Sequence, residues 1–122
     1  MRIVNLQEFM KLHNILYTEY NDNFHSCVNF NIKWCNSDGI KNDWILSQIA
    51  PDQLDCDSFD DLLDKLGILE EDSSLSATMD FESTFREAMY YDDDDPIRFA
   101  IYEKEDIENL ISILSKLLKE EK

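Results

Sequence analysis

The sequence predicts one α+β domain over residues 1–122: a small antiparallel sheet with helices packed on one face and an amphipathic C-terminal helix. Three observations carry this. Apolar and polar residues alternate at 27–34 with the period of a half-buried strand. At 58–66 and 104–119 the apolar residues recur three and four apart, as in helices with one buried face. A chain of 122 residues with 43% hydrophobic side chains suits one domain with its own core rather than two domains.

Met1 to Val4 is short and β-prone. Asn5 has the character of an N-cap, and Glu8 three residues later completes a capping-box pattern. Leu6, Phe9, Met10 and His13 then give a helical stripe over about two turns. Residues 15–20 (ILYTEY) and 27–34 (CVNFNIKW) read as strands. In the second, Val28, Phe30, Ile32 and Trp34 are expected to face the core, with Asn29, Asn31 and Lys33 toward water. Asn21-Asp22-Asn23 and Asn36-Ser37-Asp38-Gly39 supply turn chemistry. A third apolar run, Trp44 to Ile49, fits a strand or a short helix and ends before Pro51.

Residues 58–66 (SFDDLLDKL) read as a helix. Phe59, Leu62, Leu63 and Leu66 form its apolar face, and Asp60, Asp61 and Asp64 its solvent face. Gly67 stands where a C′ residue would stop the helix, with Ile68 turned back on Leu63. An acidic loop at 70–76, a short strand at 77–81 and a helical turn to Met89 are expected next. Asp92-Asp93-Asp94-Asp95-Pro96 cannot continue a helix and belongs in solvent. Ile97 to Tyr102 is a strand. Residues 104–119 form the strongest helix, expected to bury Ile107, Leu110, Ile111, Leu114, Leu117 and Leu118. Glu105 and Asp106 in its first turn, and Lys116 and Lys119 in its last, favour the macrodipole.

The charge is uneven. The chain carries 27 Asp and Glu against 11 Lys and Arg, for a net charge of −16. Residues 52–108 hold 20 of those acids and four of the bases, so this one segment accounts for the whole imbalance. Such a field disfavours direct contact with nucleic-acid phosphates or an anionic membrane and favours a basic protein partner. No stretch approaches the ~18–20 apolar residues of a membrane span. The start of the chain lacks the apolar run and cleavage site of a secretory signal. Cys27, Cys35 and Cys56 are odd in number and contain no CxxC, as in a reducing compartment. A cytoplasmic protein is expected.

Sequence offers little chemistry. No GxSxG, GxGxxG or GxxxxGK[ST] is present, and two glycines cannot build a phosphate-cradling loop. His13 and His25 accompany three cysteines without any local sign of an activated nucleophile. Asp55-x-Asp57-x-x-Asp60 starts like a calcium loop. Its sixth position is Asp60 instead of Gly and its twelfth Leu66 instead of Glu. His25, Cys27 and Cys35 lack paired zinc spacing. No catalytic residue, metal or cofactor is expected. Binding is what remains.

Acids three and four apart on a helix lie about 5–6 Å from one another. Asp57, Asp60, Asp61 and Asp64 therefore make a ladder of negative charge, which Glu70, Glu71 and Asp72 or Asp92, Asp93, Asp94 and Asp95 extend. Duplex DNA carries one negative charge per ~1.7 Å of its axis, and carboxylates on a rigid frame imitate such a field. Tyr91, with Tyr90 beside it, is the aromatic anchor expected next to the charge. The alternative for these tyrosines is an ordinary core edge.

RIVNLQEFMKL and LYTEY near the start, and FAIYEKEDIENLI near the end, resemble small uncharacterised proteins carried by bacteriophages and other mobile elements. This likeness spans the first 20 residues and roughly 97–111, and carries no assigned functional residue. As a small acidic single domain, the chain also resembles phage inhibitors of host defence nucleases: DNA-mimicking anti-restriction proteins and anti-CRISPR proteins. Bacterial immunity proteins, which cap basic nuclease toxins, are similar too. These likenesses imply a non-enzymatic inhibitor acting in the bacterial cytoplasm on a nucleic-acid-binding defence protein, a CRISPR effector first among them. An immunity protein against a nuclease toxin is the alternative.

Overall fold

The computed structural model describes residues 1–21, 26–27, 29–49, 54–81, 84–87 and 91–119. His25, Val28, Pro51, Met89, Tyr90 and most of the turn expected at 21–23 lie outside the described residues, as does the side chain of Cys27. The elements run β1 (Arg2–Asn5), α1 (Leu6–Met10), β2 (Ile15–Asn21), β3 (Ser26–Cys27), β4 (Phe30–Asn36), β5 (Trp44–Ile49), α2 (Phe59–Glu71), β6 (Thr84–Glu87), β7 (Arg98–Tyr102) and α3 (Lys104–Lys119). The strands form one antiparallel sheet in the order β1-β7-β2-β4-β5-β6, with β3 paired to β2. This is a small α+β fold.

Residues paired across an antiparallel ladder share a face. Val4 opposes Phe99, Tyr17 opposes Ile101, and Lys33 lies between Ile15 and Leu46. One face thus collects Val4, Tyr17, Trp44, Leu46, Phe99 and Ile101, and α1 lays Leu6 and Phe9 onto it. The Phe9 ring stacks on Phe99 at 3.9 Å and meets Tyr17 and Trp44 edge-on at 4.8 and 5.0 Å. Trp44 Nε1 donates to the Tyr17 hydroxyl at 2.8 Å, so the one polar atom of this large buried ring is satisfied. Asn5 caps α1 as its sequence suggests, its Oδ1 accepting from the Glu8 N–H at 2.9 Å. His13 falls beyond the helix and is exposed.

β4 reverses the expected parity. Asn31 and Lys33 face α1 and are buried, while Phe30 and Ile32 are half-buried on the opposite face and Trp34 is 39% exposed. The cause is the C-terminal end of α1, whose last carbonyls lack intrahelical partners. Lys33 Nζ donates to the carbonyls of Phe9 and Leu12 at 2.9 and 2.6 Å. Asn36 Nδ2 donates to that of Met10 at 2.8 Å. A bulge between Lys33 and Cys35 returns Asn36 to the α1 side and leaves Trp34 and Cys35 outward. Trp34 Nε1 donates to Ser47 Oγ at 2.8 Å on that other face.

β5 settles the strand-or-helix ambiguity at 44–49 as a strand. The helical turn expected before Met89 is instead β6, paired with β5 from Ser47↔Thr84 to Trp44↔Glu87. A strand there satisfies the open edge of β5, a demand that local sequence does not reveal. The short strand at 77–81 reduces to a single bridge between Met79 and Leu54.

α2 passes through Gly67 and continues to Glu71. A mid-helix glycine costs only about 1 kcal/mol relative to alanine, and Ile68 and Leu69 sustain the apolar spacing beyond it. The stop comes at Asp72, whose N–H donates to the Ile68 carbonyl at 3.2 Å. Asp72 Oδ1 takes Ser74 N–H and Oγ at 3.0 and 2.6 Å, which holds its carboxyl below the usual carboxylate range.

α3 follows β7 with only Glu103 between them. Its first turn is pinned: Asp106 accepts from the Glu103 N–H at 3.0 Å and pairs with the Met1 ammonium at 2.6 Å. Arg2 reaches Glu103 at 3.6 Å. Beyond that foot the expected burial fails. α3 holds no buried residue, and Ile111, Leu114, Leu117 and Leu118 are 52–72% exposed. Of the three described helices, α1 is the one that contributes buried residues to the core. No described helix is long and apolar enough to cross a membrane.

Candidate functional site

Ser58 starts α2, its hydroxyl accepting from the Asp61 N–H at 3.1 Å. Asp61 Oδ2 accepts in turn from the Asp57 N–H at 3.1 Å, and pairs with Lys65 at 3.6 Å. Lys65 also donates to the Asp55 carbonyl. Asp61 is therefore a structural carboxylate, half-buried at the helix start. Asp57 before the helix and Asp60 and Asp64 on it are exposed.

At 3.6 residues per turn, Asp60, Asp64 and Glu71 fall within about 40° of one another. Gly67 lies in the same stripe and adds no side chain. The structure thus brings Glu71 into the ladder by carrying the helix past its expected stop. The resulting row is about 16 Å long, with Lys65 the helix's single cation.

On the neighbouring face of α2, Phe59 is 71% exposed and Leu63 52% exposed. Sequence reasoning assigned both to the core. Nothing in the 58–66 pattern distinguishes a buried stripe from an uncovered one, because periodicity records only that a helix has two unlike faces. Ile68, Leu69, Leu75 and Ala77 line a shallow groove of about 300 Å³ between α2 and the segment that follows it.

The aspartate tract is built differently. Asp92 to Asp95 form a turn closed by the Asp95 N–H donating to the Asp92 carbonyl at 3.0 Å. Asp93 does not stand free. Its Oδ2 meets Lys41 Nζ at 2.5 Å, its Oδ1 takes Asn42 Nδ2 at 3.4 Å, and its carbonyl takes Gln7 Nε2 at 3.4 Å. Lys41 and then Asn42 hold the Asp93 carboxyl below the ordinary range. Asn42, at φ 59°, also donates to the Tyr91 carbonyl at 2.6 Å. Tyr91 itself packs half-buried against the core cluster. It takes the core-edge role, whereas Phe59, next to Asp60 in the chain, stands exposed. Asp92 and Asp94 are exposed, and Asp95 is half-buried.

The structure therefore presents two acidic clusters. One is fixed to the turn before β5, through Lys41 and Asn42; the other enters the chain after the opposite end of β5. Among the described residues no group of three or more His, Cys, Asp or Glu side chains is placed to hold a metal ion. Cys35 is exposed and Cys56 half-buried, both as free thiols. Comparison with protein-family models, with curated proteins and with solved structures finds no significant match to this chain.

Proposed function

We propose that this protein is a non-enzymatic inhibitor from a phage or other mobile element that occupies the basic nucleic-acid channel of a host defence protein, a CRISPR effector being the first candidate. One observation supports the reading above others: α2 displays Asp60, Asp64 and Glu71 as an exposed row, with Asp57 at its head, and leaves Phe59 exposed on the neighbouring face. The row is sparser than the phosphates of one DNA strand, one per ~3.4 Å. Its first role is accordingly to steer and orient a basic partner. Phe59 and Leu63 supply the apolar contact that steering alone does not.

The test is capture of host proteins on the tagged chain, followed by the same capture with Asp57→Asn/Asp60→Asn/Asp64→Asn/Glu71→Gln. The proposal expects a nucleic-acid-binding defence protein that the wild type retains and the variant releases. Capture of a nuclease toxin instead would assign the chain to the immunity class. Equal retention by both proteins would remove the acidic row from the account.

A further inference from the structure

We propose that the Asp38–Gly39 bond is a modification site, where the Asp38 side chain takes over the link to Gly39 as isoaspartate, and that this change releases the aspartate tract from the β4–β5 turn. Of the chain's aspartates only Asp38 precedes a glycine. The reaction needs an unhindered nitrogen after the aspartate, a carboxyl at liberty to turn onto it, and a backbone that hydrogen bonds do not lock. The β4–β5 turn provides all three.

That turn spans 37–43. Its base is held by the Ser37 N–H, which donates to the Asp43 carbonyl at 2.9 Å. Asp38 and Gly39 lie at the tip, both exposed. Among the described residues none accepts from the Gly39 N–H, and none pairs with the Asp38 carboxyl. Gly39 stands at φ 79°, which glycine adopts without strain. A Cβ there would meet nothing within 4 Å, so the tip is open. Other aspartates lack one condition or another. Asp57 precedes Ser58, the fixed N-cap of α2. Asp72 precedes Ser73, and its Oδ1 is held by the Ser74 N–H and Oγ. Asp95 precedes proline, whose nitrogen carries no hydrogen.

The step is a condensation followed by a hydrolysis. The Gly39 nitrogen bonds to Asp38 Cγ and the Cγ–OH bond breaks. The hydroxyl leaves with the N–H proton as water, closing a five-membered succinimide. Water then adds back. Attack at Cγ restores aspartate. Attack at the Asp38 main-chain carbonyl carbon breaks its bond to the Gly39 nitrogen, which leaves a free α-carboxylate and a chain that runs through Cβ and Cγ. The water expelled is the water consumed, so the mass is unchanged and no co-reactant is needed.

The product lengthens the main chain by one carbon inside a turn pinned at Ser37 and Asp43. Its return limb carries the two residues that hold the aspartate tract. Asn42, buried at φ 59°, donates to the Tyr91 carbonyl at 2.6 Å, and Lys41 Nζ meets Asp93 Oδ2 at 2.5 Å. Shifting that limb breaks both contacts, and Asp93 joins Asp92 and Asp94 in solvent.

The test incubates the full chain at 37 °C in mildly acidic buffer and follows residues 34–41, which trypsin releases by cutting after Lys33 and Lys41. A second form of this peptide should accumulate, equal in mass, eluting apart, and methylated by protein isoaspartate methyltransferase. A form lighter by one water should precede it. Conversion in the folded chain should run within about tenfold of that in the isolated peptide, because a loop tip opens at little cost. Asp38→Glu, whose ring would be six-membered, should yield no such form. Lys41→Ala should lower the melting temperature of fresh protein and leave that of the isomerised fraction unchanged. Slower conversion in the folded chain, or only a heavier peptide from deamidation at Asn36, would overturn the site. A full Lys41→Ala effect in the isomerised fraction would overturn the release.

Discussion

The Lys33 ammonium lies 4.7 Å from the centre of the Phe9 ring while donating to the Phe9 carbonyl at 2.9 Å, so one buried cation grips both the side chain and the backbone of α1. With the Leu12 carbonyl at 2.6 Å, the ammonium closes the negative end of the helix over the aromatic cluster. Burying a lysine is costly without such partners. Here two carbonyls and a ring face replace its water.

Lys33→Met keeps the stem and removes the charge, so the Leu12 carbonyl loses its ammonium donor while the Phe9 carbonyl keeps the Leu12 N–H at 3.0 Å. One such loss costs about 1–3 kcal/mol, so the variant should be less stable by about that much in urea unfolding. A variant as stable as wild type would mean that the desolvation cost of the ammonium cancels its bonds.

Burial lowers the Lys33 pKa to about 8, against a smaller opposing influence from Cys35. An unfolded lysine titrates near 10.4. Between those values the unfolded chain holds the extra proton, so Lys33's contribution to stability rises with pH through that window. The stability gap between wild type and Lys33→Met should therefore widen from pH 8 to 10, by up to about 1.4 kcal/mol per unit. A constant gap would contradict the depressed pKa.

Phe9 and Leu114 separate core from periphery. Phe9 is fully buried among three aromatic rings, and Phe9→Ala should cost about 3–5 kcal/mol. Leu114 is 52% exposed, and Leu114→Ala should cost less than about 1 kcal/mol. A large loss at Leu114 would show that α3 packs on the body after all.

Asp93 and Lys41 tie the aspartate tract to the turn before β5. Asp93→Ala and Lys41→Ala should each lower the melting temperature slightly and by similar amounts, and the double variant should add little to either. The effect should shrink in high salt, because both groups are exposed. It should also fade as pH falls through the depressed Asp93 pKa. Additive losses would separate the two residues.

Much of the fold is legible in the sequence, and the exceptions share a cause. α1 with its Asn5 cap, β2, β7 and α3 stand where local signals place them, because each records its own period or cap. β4 inverts because its polar residues answer carbonyls on another element, and alternation cannot say which face a cation is needed on. β6 forms because β5 has an edge to cover. Gly67 stays helical because Ile68 and Leu69 continue the stripe. The exposed faces of α2 and α3 are invisible to periodicity, which names an apolar face without naming what covers it. At the acidic site, Asp57, Asp60 and Asp64 were readable directly. Asp61 and Asp93 turn out to hold structure together, Tyr91 joins the core edge, and Phe59 could not have been placed outside it from spacing alone.

The central claim, that the α2 carboxylates stand in for nucleic-acid phosphates, is tested most directly by competition. The nucleic-acid-binding protein captured on the wild-type chain is loaded with a fluorescently labelled duplex and titrated with that chain, and anisotropy is followed. The account predicts that wild type releases the duplex, that excess unlabelled duplex reverses the inhibition, and that Asp57→Asn/Asp60→Asn/Asp64→Asn/Glu71→Gln, still folded, fails to compete. Inhibition with the duplex still bound, or full displacement by the neutralised variant, would contradict it.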